Sequence, residues 1–326
     1  MIPVGTARTN DDSDMRDPCK VRRTRDDSVD IGWGPFRFGD AGLFWGVIGV
    51  FAFSLTVPLT RVAAPTFGPV VAGLGRAALA ALVATAFLLM TSQPRPTLRN
   101  LPMLTSAGLG LFVGYPLFLS LGLETVPSIH GAVTSGLLPL ATAVAAAVLA
   151  GERPPAIFWT GTIAGVGVVL TYALAHGGGS IARGDAWLLC AVVSGGLGNA
   201  SGGVIARKIG GWQTICWGLV VVAPITFVAV FQKSAQLAIH APLQAWFSLL
   251  YLAIVSSLLA FCAWVKGLSI GGIARVGQLQ LLQPFAILAC SAILLGEQVT
   301  FASLMTSLLV LVCAIACLMC RRSRSS

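Results

Sequence analysis

The sequence has few charged residues, and they are unevenly distributed. Only 10% of its 326 residues are charged, whereas 56% are hydrophobic, and the mean hydropathy is +0.85. Because soluble domains carry roughly 25% charged residues, this scarcity excludes a water-soluble globular enzyme. Residues 1–38 hold equal numbers of basic and acidic side chains, so the net charge of +9 belongs to the apolar remainder. There the basic residues stand singly between apolar runs, which predicts no nucleic-acid partner.

Recognisable catalytic and metal-binding patterns are also missing. The sequence contains no HExxH, GxSxG or P-loop motif. An intramembrane enzyme is the main alternative to a transport protein, and the sequence shows no catalytic motif for one. The closest cysteine grouping, Cys313, Cys317 and Cys320, lies on an apolar run with no histidine nearby. We therefore predict no catalytic residue, no metal and no cofactor. A membrane protein that serves only as a scaffold is a further alternative. It would not explain why prolines and Arg76 lie within apolar runs of the sequence.

Ten apolar runs occupy the rest of the chain. A membrane-spanning helix needs about 20 apolar residues, and the runs have that length. We number them as spans one to ten: 41–60, 69–90, 102–123, 128–149, 156–175, 185–205, 212–231, 246–267, 274–295 and 300–320. The sequence thus predicts an all-α polytopic membrane protein whose principal partner is the lipid bilayer.

The basic residues predict the orientation. With the N-terminus in the cytoplasm, ten basic side chains face the cytoplasm and three face outside, which satisfies the positive-inside rule. The cytoplasmic ten are Arg95, Arg99, Arg153, Arg207, Lys208, Lys266, Arg275, Arg321, Arg322 and Arg324. Both termini are therefore predicted to be cytoplasmic. Residues 1–38 are predicted to form a disordered tail, because they lack the apolar stretch of a secretory signal, and residues 321–326 a basic tail. Whether 1–38 belongs to the mature protein stays open, because Met15 is an alternative start.

An internal repeat organises the spans. Gly39-Asp40-Ala41 recurs as Gly184-Asp185-Ala186, Pro139 recurs as Pro284, and Gly151-Glu152 recurs as Gly296-Glu297, always 145 residues apart. Each half, 39–176 and 184–320, holds five spans, an odd number, so the second half must cross the membrane in the opposite sense. Inverted-topology repeats of this kind are a recurring construction of secondary transporters.

At these residues the chain resembles the ten-helix EamA-type members of the drug/metabolite transporter superfamily. The resemblance covers residues 39 to about 320, and the repeated proline followed by Gly-Glu is its most specific part. It implies a carrier of the bacterial inner membrane, commonly an exporter of amino acids, related metabolites or toxic compounds. The second half departs from the first where Val221 replaces Arg76 and Gln298 replaces Arg153.

Polar and aromatic residues within the spans are candidates for the substrate path. They are Trp45, Arg76, Tyr115, His130, Ser135, Pro139, Asn199, Trp264, Gln280, Gln283 and Pro284. Mid-span prolines free the carbonyl four residues earlier, here Ser135 and Gln280, so polar groups are predicted to converge at mid-membrane depth. A simple packing kink is the other interpretation of the prolines.

The charged candidates each have two interpretations. Arg76 lies about 10 Å into its span at 1.5 Å per residue. It either contacts an anionic substrate group, or it extends to the outer surface or hydrogen-bonds loop carbonyls. Glu152 and Glu297 lie at span ends and either anchor helices or couple transport to protons. His130 either completes a structural hydrogen bond or titrates during transport.

We expect an exporter of small metabolites, chiefly amino acids or their derivatives, that works by alternating access. A multidrug or organic-cation efflux carrier is the rival, but no acidic residue lies mid-span to hold a cation. Transport is expected to be either uncoupled or weakly proton-coupled through His130. Five glycine pairs at four-residue spacing indicate close helix contacts, but they give no firm sign of a homo-oligomer.

Overall fold

The computed structural model describes residues 41–150, 156–176, 182–233, 241–271 and 277–322, and every secondary-structure element in these ranges is a helix. The α-helices are α1 (Ala41–Ser54), α2 (Thr56–Val70), α3 (Arg76–Met90), α4 (Leu101–Gly108), α5 (Tyr115–Thr125), α6 (Ser128–Ser135), α7 (Leu138–Ala150), α8 (Ala156–His176), α9 (Arg183–Ile209), α10 (Gly211–Gln232), α11 (Leu243–Leu250), α12 (Ala260–Gly271), α13 (Gln283–Leu295) and α14 (Phe301–Arg322). The 3-10 helices are Leu98–Asn100 and Gly277–Leu282, and the π-helical segments are Val71–Gly75, Leu109–Gly114 and Tyr251–Leu259.

The helices account for the ten predicted spans. Five apolar helical stretches are long enough to cross a membrane: Ala41–Met90, Leu98–Thr125, Arg183–Ile209, Gly211–Gln232 and Leu243–Gly267. The first has 50 residues and contains two predicted spans, separated at Gly68, whose φ of 76° interrupts the helix. The remaining spans correspond to the bent pair Ser128–Ser135 and Leu138–Leu149 and to the shorter apolar helices Trp159–Ala175, Leu279–Leu295 and Phe301–Ile315.

The packing follows the internal repeat. Spans one and eight pack through α1 and α12, and their equivalents, spans six and three, pack through α9 and α5. Spans two and seven pack through α3 and α10, five and ten through α8 and α14, and four and nine through α6 and α13; each of these pairs is its own equivalent. Each half therefore makes the same set of helix contacts as the other.

The sense of the repeat is visible where span four begins. Ser128 is the first residue of span four. Its backbone N–H donates a hydrogen bond to the carboxylate of Glu297, which lies two positions after the end of span nine. Spans four and nine are equivalent, so parallel repeats would bring their first residues to the same end. The first residue of one instead meets the last of the other, and the repeats are inverted.

Small residues allow the closest helix contacts. A Cβ atom built on Gly110 would lie 2.5 Å from the Cα of Gly198, and one on Gly267 would lie 2.7 Å from the backbone nitrogen of Gly46. These contacts join span three to six and span eight to one, which are equivalent pairs of spans. Small residues at helix interfaces let backbones approach in membrane proteins.

Two π-helical segments also occupy equivalent positions. Leu109–Gly114 lies in span three and Tyr251–Leu259 in span eight, and a shift of 145 residues superimposes their last six residues. π-helical segments inside α-helices occur frequently at functional sites. In the first half, the residue that follows is Tyr115.

Candidate functional site

Spans four and nine are each broken at the centre of the bundle. Span four bends by 43° between α6 and α7, and span nine changes from a 3-10 helix to α13 at Gln283. The two breaks face each other: Gly136 and Pro139 line one small cavity together with Gln280 and Pro284. A Cβ atom built on Gly136 would lie 3.5 Å from the Cγ of Pro284. The equivalent prolines therefore meet across the repeat interface.

The prolines act differently from the sequence-based expectation of kinked, continuous spans. Each is the second residue of a new helix, where the missing N–H would have had no intrahelical partner in any case. Before the break in span four, the N–H of Leu137 donates to the carbonyl of Thr134 at 3.0 Å, a tighter turn that ends α6. The Ser135 hydroxyl is buried and donates to the carbonyl of Ala132 at 2.7 Å. The polar surface at the break thus comes from helix ends.

Span two contributes a buried arginine. Arg76, the first residue of α3, is only 4% exposed, and its Nε has no hydrogen-bond partner. The side chain is therefore almost fully enclosed by the bundle. Its guanidinium lies near the side chain of Tyr115. Burying a charge costs several kcal/mol, and charged residues inside membrane-spanning segments are a starting hypothesis for a functional site.

Gly195 connects Tyr115 to the broken span. A Cβ atom built on Gly195 would lie 2.8 Å from the Cδ2 of Tyr115 and 3.0 Å from the Cδ1 of Leu138, the first residue after the break. The absence of a side chain there lets the tyrosine ring and the second half of span four approach the same point of α9. Tyr115 therefore lies close both to Arg76 and to the second half of span four. We call Arg76, Tyr115 and the break in span four together the central site.

The other polar candidates are distributed around the bundle. Gln280 lines the cavity between the breaks, Gln283 is buried at the start of α13, and Asn199 is half-buried on α9. Trp45 lies under the ammonium group of Lys266, whose Nζ is 4.0 Å from the ring centroid. Trp264 packs its backbone against Gly49, where a built Cβ atom would be 3.1 Å away. The structure places both tryptophans in the contact between spans one and eight.

His130 has a buried acidic partner that the sequence analysis did not select. Its Nδ1 lies 2.7 Å from Oδ1 of Asp185, and both side chains are less than a tenth exposed. Tyr172 packs edge-on against the imidazole at 5.3 Å. The sequence did contain a signal for this pair. At the equivalent positions of the other repeat, Asp40 corresponds to Asp185, and the basic Arg275 corresponds to His130.

Glu297 caps a helix of the opposite repeat. Its two carboxylate oxygens accept hydrogen bonds from the backbone N–H groups of Ser128 at 3.0 Å and Ile129 at 3.1 Å, at the N-terminus of α6. A carboxylate at this position is favoured by the helix dipole. Glu152, its equivalent, lies outside the described residues. Among the described residues, no group of three potential ligands could hold a metal ion.

These features define a class of protein. Inverted repeats with discontinuous helices that meet at the bundle centre, beside a buried charge, are the architecture of secondary transporters. The chain belongs to the EamA-like transporter family, whose model matches residues 40–173 and 182–319.

Comparison with individual proteins agrees with this assignment. The chain is 41% identical over 273 residues to a protein of Bacillus subtilis (strain 168) described as the uncharacterized transporter YdeK, covering 83% of this chain and 94% of that protein. A solved crystal structure superimposes with a TM-score of 0.55 at 19% identity and covers 87% of this chain and 98% of the other. At that identity the likeness shows the fold alone.

Proposed function

We propose that this protein is a bacterial inner-membrane exporter of amino acids or their derivatives, which works by alternating access to the central site. The observation that carries the proposal is the buried guanidinium of Arg76, with its unpartnered Nε, beside Tyr115 and the break in span four. A guanidinium matches the geometry of a carboxylate and hydrogen-bonds it strongly. The carboxylate is the group that all amino acids share.

The distribution of acidic side chains supports this substrate class over organic cations. In the described part of the chain, Asp185 pairs with His130, Glu297 caps α6, and Glu124 is exposed at the end of α5. None of these carboxylates belongs to the central site. A cationic drug would therefore meet a fixed positive charge without a compensating negative one, whereas a zwitterion or an acid would neutralise Arg76.

The membrane placement in this proposal follows from the sequence. The positive-inside count puts both termini in the cytoplasm, and the ends of the bundle at Ser128, Asp185 and Glu297 then face outward. Export as the direction of transport rests on the resemblance to EamA-type carriers. Membership of a transporter family also argues against an intramembrane enzyme.

The test is counterflow in proteoliposomes. Vesicles loaded with one unlabelled solute are diluted into medium that contains the same solute in labelled form. The solutes, tested one at a time, are an amino acid, its methyl ester and tetraethylammonium. We expect accumulation of amino acids and little accumulation of the ester or the cation. Accumulation of tetraethylammonium but not of amino acids would replace our substrate class with organic-cation efflux, and no accumulation across a broad panel would overturn the carrier proposal itself.

A further inference from the structure

A groove runs along the surface of the bundle between spans three and six. It has a volume of about 580 Å³ and is lined chiefly by Leu101, Pro102, Thr105 and Leu109 on the side of span three and by Ser194 and Leu197 on the side of span six. Pro102, Leu109 and Leu197 are exposed, so the groove is open to the surroundings of the bundle. We call it the three–six groove.

Contacts between the two helices close the inner side of the groove. The hydroxyl groups of Ser106 and Ser201 lie 2.9 Å apart. A Cβ atom built on Gly110 would lie 2.5 Å from the Cα of Gly198, and the hydroxyl of Ser194 donates to the carbonyl of Gly110 at 3.4 Å. These three hydroxyl groups are satisfied within the bundle, so the surface that they leave for an occupant is largely apolar.

The length of the groove matches one leaflet of a membrane. Its lining on span three extends from Leu101 to Gly110, which is about 14 Å at 1.5 Å per residue. The hydrocarbon core of a bilayer is about 30 Å thick, so one leaflet accounts for about 15 Å. An acyl chain that lies along the groove therefore reaches from one end of the bundle to mid-membrane depth.

Three basic side chains lie at one end of the groove. The two spans are antiparallel along their contact, so residues before Ser106 and residues after Ser201 lie at the same end. Arg99 precedes Ser106 by seven positions, and Arg207 and Lys208 follow Ser201 by six and seven. At 1.5 Å per residue, all three lie about 10 Å from that contact. All three are exposed, so both repeats contribute accessible positive charge to this end of the groove.

Carboxylates of the same helices do not balance this charge. In the described stretches Leu98–Thr125 and α9, the acidic side chains are Glu124 and Asp185, and both lie at the opposite end of the helices. Arg207 extends back along α9, where its Nε donates to the carbonyl of Gly203 at 3.4 Å. A Cβ atom built on Gly203 would meet no atom within 4 Å, so this arginine lies over an open face of the helix. A ligand that fits the whole groove joins an apolar chain to an anionic group.

We propose that the three–six groove is a binding site for an anionic phospholipid. One acyl chain lies along the groove, and the headgroup phosphate pairs with Arg99, Arg207 and Lys208. Guanidinium groups form bidentate hydrogen bonds with phosphate, and basic pockets between membrane-spanning helices bind anionic headgroups. The positive-inside count places this end of the groove in the cytoplasmic leaflet. Because span three belongs to the first repeat and span six to the second, the bound lipid contacts both repeats.

The experiment identifies the occupant of the groove by photo-cross-linking. Leu109 is replaced by p-benzoylphenylalanine in the full-length protein. The protein is reconstituted into nanodiscs that contain equal amounts of phosphatidylglycerol and phosphatidylcholine with identical acyl chains. After illumination, mass spectrometry gives the ratio of the two lipid adducts. We expect at least about a fivefold excess of the phosphatidylglycerol adduct, because each basic residue near a membrane surface favours an anionic lipid by about that factor.

Leu82 is the matched control position. It is an exposed leucine eight residues before the end of α3 at Met90, just as Leu109 lies eight residues after the start of α4 at Leu101. Both positions therefore lie at a similar depth from the loop that joins spans two and three. We expect an adduct ratio near one at Leu82, and equal ratios at the two positions would overturn the proposal. Cross-links from position 109 to a second copy of the chain would also overturn it, because that copy would then fill the groove.

Substitutions of exposed residues test the headgroup contact. The double variant Arg99→Gln and Arg207→Gln should lower the phosphatidylglycerol excess at position 109 at least about fivefold. Arg183→Gln, which removes an exposed charge from the other end of α9, is the matched control and should leave the ratio unchanged. The ratio is measured within one sample, so it does not depend on the amount of folded protein. An excess that persists undiminished in the double variant would show that these arginines do not select the lipid.

The lipid site goes beyond the proposed function and does not rest on it, since the readout requires no substrate. A failure of this experiment therefore leaves the proposed amino-acid export untouched, and a failure of the counterflow assay leaves the lipid site open to test.

Discussion

At the scale of single residues, the buried polar side chains have distinct surroundings. Arg76 has an unpartnered Nε in the central site, while His130 and Asp185 contact each other between the repeats. Glu297 satisfies two backbone donors that α6 cannot satisfy internally, because the first N–H groups of a helix have no partner within it. The geometry is that of an anchor, one of the two roles considered for this residue from sequence.

Replacement of Glu297 tests the anchor. Glu297→Ala leaves two helix N–H groups without their carboxylate, and we expect a loss of about 1–2 kcal/mol in the free energy of unfolding, from the cap and the dipole together. Glu297→Gln, which retains one acceptor oxygen, should lose less. Detergent unfolding monitored by circular dichroism measures both. Glu124→Ala, at an exposed carboxylate of the same end, is the control; if it destabilises as much as Glu297→Ala, the cap is not important for stability.

At the scale of helices, close backbone contacts hold spans three and six together. A Cβ atom built on Gly198 would lie 2.7 Å from the nitrogen of Leu111 and 2.9 Å from the carbonyl carbon of Gly110. Backbone atoms cannot move aside as the end of a side chain can. On the same helix, a Cβ atom on Gly203 would meet no atom within 4 Å.

This difference predicts opposite effects for the same substitution. Gly198→Ala should destabilise the protein by about 1–3 kcal/mol, because overpacking forces the two helices apart. Gly203→Ala should be neutral or stabilising by up to about 1 kcal/mol, because alanine favours the helix. Thermal unfolding in detergent, followed by tryptophan fluorescence, compares the two. Equal melting temperatures would contradict the close packing of spans three and six.

The sequence predicted helix positions better than helix ends. Span six was expected over 185–205, but α9 runs from Arg183 to Ile209, because its polar last residues remain helical and the basic pair Arg207 and Lys208 favours a helix C-terminus. Hydropathy alone registers only the apolar middle of such a helix. Hydropathy also did not reveal that spans four and nine are broken. A proline inside an apolar run is compatible with a kink in one helix and equally with the start of a second helix.

Contacts between the repeats were the hardest part of the site to predict. Asp185 was placed at a span end, where a carboxylate usually reaches water, yet the structure buries it against His130, 55 positions earlier in the chain. Which residues meet depends on the rotation of each helix about its own axis. The repeat offset of 145 residues gave the equivalence of positions, but only the assembled bundle shows which equivalent positions touch.

At the scale of the whole molecule, inversion of the repeats fixes the membrane topology. Spans five and ten then end on opposite sides of the membrane, and all loops alternate. Reporter fusions test this directly: we expect a fusion at Ser326 to report the cytoplasm and one near Gly178, which lies outside the described residues, to report the exterior. Detection of both reporters on the same side would contradict the ten-span inverted arrangement.

The central claim is that Arg76 in the central site binds the carboxylate of the transported solute. The most direct measurement is the ratio of counterflow rates for an amino acid and its methyl ester, in the native protein and in Arg76→Gln. We predict a strong preference for the acid in the native protein and its collapse in Arg76→Gln, whose amide retains polarity but has no charge to pair with a carboxylate. An acid preference that persists unchanged in Arg76→Gln would contradict the account.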